Sequence, residues 1–268
     1  MNLENNVALI TGAARGIGSA IADRLAREGA KLSLVDLNED LLNVTADRLR
    51  SAGATVATFQ ADATDPLRAA EIVAHTADRY GRLDILVNNA GFCTSKPFLS
   101  IGVEQWQQEI EINLSASFYF ARPAAQIMKD QGYGRVILIG SVCGLQGPYE
   151  IAAYGAAKSG QYGLMRAMAL ELAEFGITTN AVAPGPINTE LLRQNLTPAM
   201  QKIAAQRVPA RRIGEVDDVA QAVAFLASPA SSFINGVIMP VDGGYVAAGA
   251  YMAEKLRRRL VDSPAIDG

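Results

Sequence analysis

Histidine and cysteine are nearly missing from this sequence: 268 residues hold one His, His75, and two Cys, Cys93 and Cys143. Two cysteines cannot build a disulfide framework, and their spacing matches no zinc pattern, so no metal is expected. A Ser-His-Asp or Cys-His mechanism would rest on His75 alone, which lies in an ordinary amphipathic helical pattern. Charge is scarce too, at 19% of residues, with a net charge of −3. No broad basic field is available to hold nucleic acid or anionic lipid. The one basic run, "KLRRRL" at 255–260, reads as a solvated helix face or a subunit contact. No apolar stretch is long enough to span a bilayer, and the opening "MNLENNVALITG" carries no cationic leader. These absences predict a soluble protein of a reducing cytoplasm, with no nucleic-acid or membrane partner.

Half of the chain is hydrophobic, ample for a large core. Its apolar residues fall into short runs: "VALIT" (7–11), "KLSLVD" (31–36), "TVATFQAD" (55–62), "LDILVNNA" (83–90), "RVILIGS" (135–141), "TTNAVAPG" (178–185) and "VIMPVDG" (237–243). Most are continuously apolar, as in strands covered by helices on both faces. Helical patterns such as "GSAIADRLAREG" separate them, and longer ones run over 103–130 and 152–175. Strand and helix alternating in this way predict a single-domain, Rossmann-type α/β fold over 1–250: a doubly wound parallel sheet of about seven strands with helices on both faces. Residues 186–214, broken by Pro198 and Pro209, follow a strand's carboxyl end and are expected to form a lid. Residues 251–268 form a C-terminal extension beyond the repeating pattern.

The first strand runs into "TGAARGIG", with Gly12, Gly16 and Gly18 before a helix. A glycine turn lets backbone approach a pyrophosphate, and a helix N-terminus offers free N–H groups there. Asp36 closes the second strand, where a carboxylate accepts hydrogen bonds from ribose hydroxyls and repels a 2′-phosphate. NAD is therefore expected over NADP. Arg15 points mildly the other way, since a guanidinium at this loop reaches for a 2′-phosphate. Leu37, where an NADP binder often carries a base, sides with Asp36.

Further along, "NNAG" at 88–91, Asn113, Ser141, "YGAAK" at 154–158 and "APG" at 183–185 stand in sequence order behind the glycine turn. Together these motifs resemble the short-chain dehydrogenase/reductase family, over essentially the whole chain to "VDGGY" at 241–245. The resemblance implies hydride transfer between nicotinamide and a secondary alcohol or ketone. It makes Tyr154 the acid/base, with Lys158 one helical turn on and the positive nicotinamide of the oxidised cofactor together favouring phenolate by charge attraction. Ser141 would hydrogen-bond the substrate oxygen, and Asn113 would anchor a water relaying protons to Lys158. For the cofactor it adds Ile17 beside the glycines, Asp62 and Ala63 at the adenine, and Asn89, Ala90 and Gly91 at the ribose. Tyr154 and Lys158 join them, and Pro184, Gly185, Ile187 and Thr189 lie at the carboxamide.

The substrate pocket is expected to draw on Ser141, Cys143, Leu145, Tyr149 and Tyr154 on one side. Pro186, Leu191 and Leu192 face them, with Phe92, Ser95 and Met200 as further candidates. The set is largely apolar with no cation to grip a carboxylate or phosphate, which points to a neutral, medium-sized hydroxy compound. One alternative is an NADPH-dependent 3-oxoacyl-carrier-protein reductase. Such enzymes carry bases that dock an acidic carrier, whereas the corresponding stretches here, "DQGY" (130–133) and "AEFG" (173–176), contain none. Another is a dinucleotide-sensing protein without catalysis; the intact Ser141, Tyr154 and Lys158 speak against it. The same resemblance implies a homotetramer built through the two long helices.

Overall fold

Seven short apolar segments pair, all in parallel, in the order β3-β2-β1-β4-β5-β6-β7. They are β1 (Val7–Thr11), β2 (Lys31–Asp36), β3 (Val56–Gln60), β4 (Ile85–Asn88), β5 (Gly134–Ile139), β6 (Ile177–Pro184) and β7 (Ile238–Val241). The computed structural model describes residues 1–248, with the side chains of Leu191 and Asn195 left aside; the basic run at 255–260 and the extension at 251–268 lie outside the described residues. The predicted architecture is the observed one: a doubly wound α/β sheet.

Alternate side chains of each strand point to opposite faces, and each face is covered. Ala8, Ile10, Leu32 and Leu34 pack with α1 (Gly16–Arg27), α2 (Glu39–Ser51) and α9 (Val216–Ala227). Val7, Leu9, Leu86 and Val136 pack with α3 (Pro66–Tyr80), α5 (Ala116–Gln131) and α6 (Ala152–Glu171). Burial on both sides explains why the strands are continuously apolar rather than alternating.

Element ends differ from the sequence expectation where side chains take over backbone bonds. The expected strand at 83–90 shrinks to Ile85–Asn88. At its start the Asp84 carboxylate accepts the Val7 N–H (2.8 Å), and at its end the Asn89 and Ala90 N–H groups donate to Thr11 Oγ1 (3.0 and 3.1 Å). The single helix expected over 103–130 is two: α4 (Val103–Ile110) and α5, joined by an i→i+5 turn over Glu111–Ser115. The helix expected to 175 stops at Glu171, and Gly176 takes a left-handed φ of 73° after a 3₁₀ turn. Within 186–214 lie two short helices, α7 (Glu190–Asn195) and α8 (Pro198–Arg207), begun by the side-chain caps of Thr189 and Thr197.

Candidate active site

A cleft of about 570 Å³ runs along the carboxyl ends of the strands. It lies where the strand order doubles back beside β1, the point at which open α/β sheets bind ligands. One end is built by the turn from β1 into α1. Gly12, Arg15, Gly16 and Ile17 line it, while Gly18 supports it from behind. Gly12 adopts φ +63°, and a Cβ there would stand 2.9 Å from the Ala90 Cα. A Cβ on Gly18 would overlap the Gly12 carbonyl oxygen and stand 2.6 Å from Asn89 Nδ2. Only glycine permits both the turn and its contact with α1. The first turn of α1 has neither a side-chain cap nor an acidic residue, so its N–H groups and positive dipole end face the cleft unspent.

Beyond this turn, Asp36, Leu37, Asp62 and Ala63 line the wall formed by the ends of β2 and β3. Asp36 is held in place: Oδ2 accepts the Ala14 N–H and Oδ1 the Asn38 N–H, each at 3.0 Å. Each carboxylate oxygen keeps a lone pair for a ligand hydroxyl. Asn89, Ala90 and Gly91 form the floor. The Asn89 amide ties β4 to the glycine turn, donating to Thr11 O (3.0 Å) and Gly12 O (2.9 Å). Pro184, Gly185, Ile187 and Thr189 line the far side after β6.

At the other end stand Ser141, Tyr154, Lys158 and Asn113, brought together from β5, α6 and the i→i+5 turn. The Lys158 ammonium is 5.5 Å from the centre of the Tyr154 ring. It is buried, and donates to Ile139 O (2.9 Å) and Gln161 Oε1 (3.3 Å). Burial with no carboxylate partner lowers its pKa to about 8. Burial also raises the Tyr154 phenol above its ordinary value, against a downward pull from the Ser141 hydroxyl. Of these two influences on the phenol, desolvation is the larger.

Asn113 occupies a wound-out turn of a kind that recurs at functional sites. Its Nδ2 donates to Phe92 O (2.8 Å) and Glu109 O (3.0 Å), while its buried Oδ1 has no partner among the described residues. That oxygen and Lys158 Nζ face the same point beside Gly91: a Cβ there would strike Oδ1 and come within 3.7 Å of Nζ. An orphaned buried acceptor, a buried cation and a glycine cradle form a donor and acceptor set that fits a nicotinamide dinucleotide with water at its reactive end.

Three supporting residues escaped the sequence reading. The Tyr162 hydroxyl donates to Ser141 O (2.6 Å) and accepts from Ser141 N (2.9 Å), fixing the serine against α6. Gln161 links Lys158 to Ser117 Oγ (2.7 Å). Both lie three or four residues past Lys158, so the helical period itself carried the signal. Glu109 is fully buried and accepts the Thr94 N–H (3.2 Å), bracing the loop after β4. No local pattern announced it.

The residues expected at the substrate pocket divide into two groups. Ser141, Tyr154, Pro186 and Leu192 line the cleft, but Cys143, Leu145 and Tyr149 do not. After β5 the chain folds into a tight turn at Val142–Gly144 and then swings away, leaving Tyr149 88% exposed. Ser95 and Met200 likewise face outward, whereas Phe92 lines the cleft together with Cys93, Ile112 and Leu196. The Leu191 side chain lies outside the described residues. Burial pushes the Cys93 thiol up to about 12 and raises that of Cys143, so neither offers a thiolate.

Residues 12–246 match the family model described as Enoyl-(Acyl carrier protein) reductase. The chain is 40% identical over 244 residues to 3-oxoacyl-[acyl-carrier-protein] reductase of Escherichia coli (strain K12), spanning 91% of this chain and 98% of that one. It is 39% identical over 254 residues to levodione reductase of Leifsonia aquatica, spanning 91% and 95%. A solved 7α-hydroxysteroid dehydrogenase, in complex with NADH and 7-oxo glycochenodeoxycholic acid, superposes with a TM-score of 0.88 at 33% identity, over 91% of this chain and 95% of that one.

Proposed function

The chain belongs to the short-chain dehydrogenase/reductase family and is an oxidoreductase of alcohols or ketones using a nicotinamide cofactor, and from that premise we propose an NAD-preferring dehydrogenase of a neutral secondary alcohol. The observation that carries the reading is one cleft with Ser141, Tyr154, Lys158 and Asn113 at one end and Asp36 beside the glycine turn at the other.

The nicotinamide supplies or accepts the hydride at the carbinol carbon. Gly12, Gly16 and the first turn of α1 hold the pyrophosphate; Asp36 holds the adenosine ribose. Asp62 and Ala63 flank the adenine, with Ile17 and Leu37 completing that wall. Asn89, Ala90 and Gly91 shape the nicotinamide ribose site, and Pro184, Gly185, Ile187 and Thr189 the carboxamide site. Tyr154 takes the hydroxyl proton in oxidation and returns it in reduction. Ser141 donates to the substrate oxygen and orients it. Lys158 and the free Asn113 Oδ1 share a bridging water that carries the proton onward. Residues 186–214 close over the cleft as a lid of the single 1–250 domain.

NAD use follows from charge. Asp36 places a fixed carboxylate where a 2′-phosphate would sit, and the relative solved with NADH supports the same preference. We expect kcat/KM with NAD to exceed that with NADP by about tenfold or more, a difference of roughly 1.4 kcal/mol. Steady-state kinetics with both cofactors checks it, and equal or reversed preference removes the reading.

The raised Tyr154 pKa sets the pH dependence. The phenol keeps its proton at neutral pH, so carbonyl reduction should hold a level kcat/KM between about pH 6 and 8 and fall only above, while alcohol oxidation climbs with pH. Profiles in both directions test this; reduction already falling across that interval would count against a protonated phenol.

The apolar lining of Phe92, Ile112, Leu192 and Leu196 supports a neutral, medium-sized substrate. A second reading, the 3-oxoacyl-carrier-protein reductase, draws on the 40% identity to the Escherichia coli enzyme. The stretches 130–133 and 173–176, with no base, oppose it. A screen of cyclic and acyclic ketones against 3-oxoacyl thioesters separates the two. Large exposed side chains on α4 to α6, including Val103, Trp106, Phe118 and Leu170, support a homotetramer joined through these helices.

A further inference from the structure

Among the described residues, Arg15 is the one cation lining the phosphate end of the cleft; Lys158, the other cation in its lining, stands at the opposite end. A guanidinium beside a dinucleotide's pyrophosphate turn is a ready ligand for a 2′-phosphate. In this structure it is already engaged. Arg15 Nη1 lies 2.8 Å from Glu190 Oε2, across 175 residues of sequence.

Glu190 is well placed to hold it. It is the first residue of α7, directly after the cap Thr189, whose Oγ1 accepts the Leu192 N–H at 3.1 Å. The start of α7 sits against the start of α1: a Cβ on Gly16 would lie 3.7 Å from the Thr189 methyl. The second oxygen, Oε1, accepts from Gln194 Nε2 at 3.2 Å. The carboxylate therefore has both oxygens occupied and faces the glycine turn from the opposite lip.

The geometry points to Glu190 as a residue that sets cofactor specificity: it engages the Arg15 guanidinium, so that Arg15 is withheld from a 2′-phosphate, while Asp36 repels that phosphate from below. This rests on the NAD reading and deepens it. Asp36 supplies a repulsion, and Glu190 removes the one attraction the loop could have offered. Discrimination then has two independent parts. The pair is about half exposed on both sides, so its share is modest beside that of Asp36.

The test is calorimetric binding of adenosine 2′,5′-bisphosphate and of NAD to the wild type, Glu190→Gln, Arg15→Ala and the double variant, with thermal melts to confirm folding. Glu190→Gln should tighten the bisphosphate about three- to fivefold and leave NAD within about twofold. The gain should vanish when Arg15 is also removed. Unchanged bisphosphate affinity in Glu190→Gln overturns the proposal. So does a gain that persists without Arg15, because it would reflect only the loss of a negative charge. Wild-type preference for NADP would instead strike the NAD reading, whichever way the change between variants falls.

Discussion

Tyr154→Phe should lower kcat at least ~100-fold while NAD still binds, because it removes the oxygen that carries the substrate proton and little else. The ring keeps its place over the first turn of α6, and Lys158 keeps its bonds to Ile139 O and Gln161. The phenol is half-buried beside Ser141, and among the described residues the two neighbouring thiols are raised by burial while Lys158 lies deeper. A general acid/base contributes about two to four orders of magnitude in rate, so the loss belongs in that range. Steady-state turnover and a fluorescence titration with NAD, taken on one preparation, separate chemistry from binding. Turnover equal to wild type would end the assignment of Tyr154 as proton carrier.

Gly18→Ala should do comparable damage by another route. The added methyl would overlap the Gly12 carbonyl oxygen and crowd Asn89 Nδ2 at 2.6 Å. Neither neighbour is free to yield. Gly12 O is backbone, and the Asn89 amide is held by Thr11 O and Gly12 O. A helix-interior glycine normally gains about 0.5–1 kcal/mol on becoming alanine. Overpacking against rigid backbone costs about 1–3 kcal/mol or more, so the collision wins. The start of α1 must back away from β1, taking with it the N–H groups that face the cleft. The expected result is a Tm lower by about 3–8 °C and NAD affinity reduced about 10- to 100-fold, the worth of one hydrogen bond to a charged group, about 1.5–3 kcal/mol. Differential scanning fluorimetry and the NAD titration read the two effects. A variant with wild-type affinity would show that the glycine serves local packing and not the phosphate turn.

Much of the molecule was legible because its signals are local. The seven apolar runs predicted a parallel sheet, since a strand buried on both faces cannot afford polar residues on either. "TGAARGIG" between strand and helix marked the glycine turn that lines the cleft, and Tyr154 with Lys158 marked one helix face. The exposure of Tyr149 could not be read in advance, because nothing in "GLQGPYE" says which way a loop turns. The long helix over 103–130 was read as unbroken because an i→i+5 turn costs no glycine or proline and leaves no mark in the sequence.

The chain by itself determined the fold class, the order of its elements and which residue types are available for chemistry. Those properties follow from burial and helical period, both of which act between near neighbours in sequence. Tertiary structure alone decided that Tyr162 clamps Ser141, that Asn113 Oδ1 is left without a partner among the described residues beside Lys158, that desolvation raises the Tyr154 phenol, and that Arg15 faces Glu190. Each depends on the distance between groups far apart in the chain, and on water excluded from between them, which no local pattern encodes.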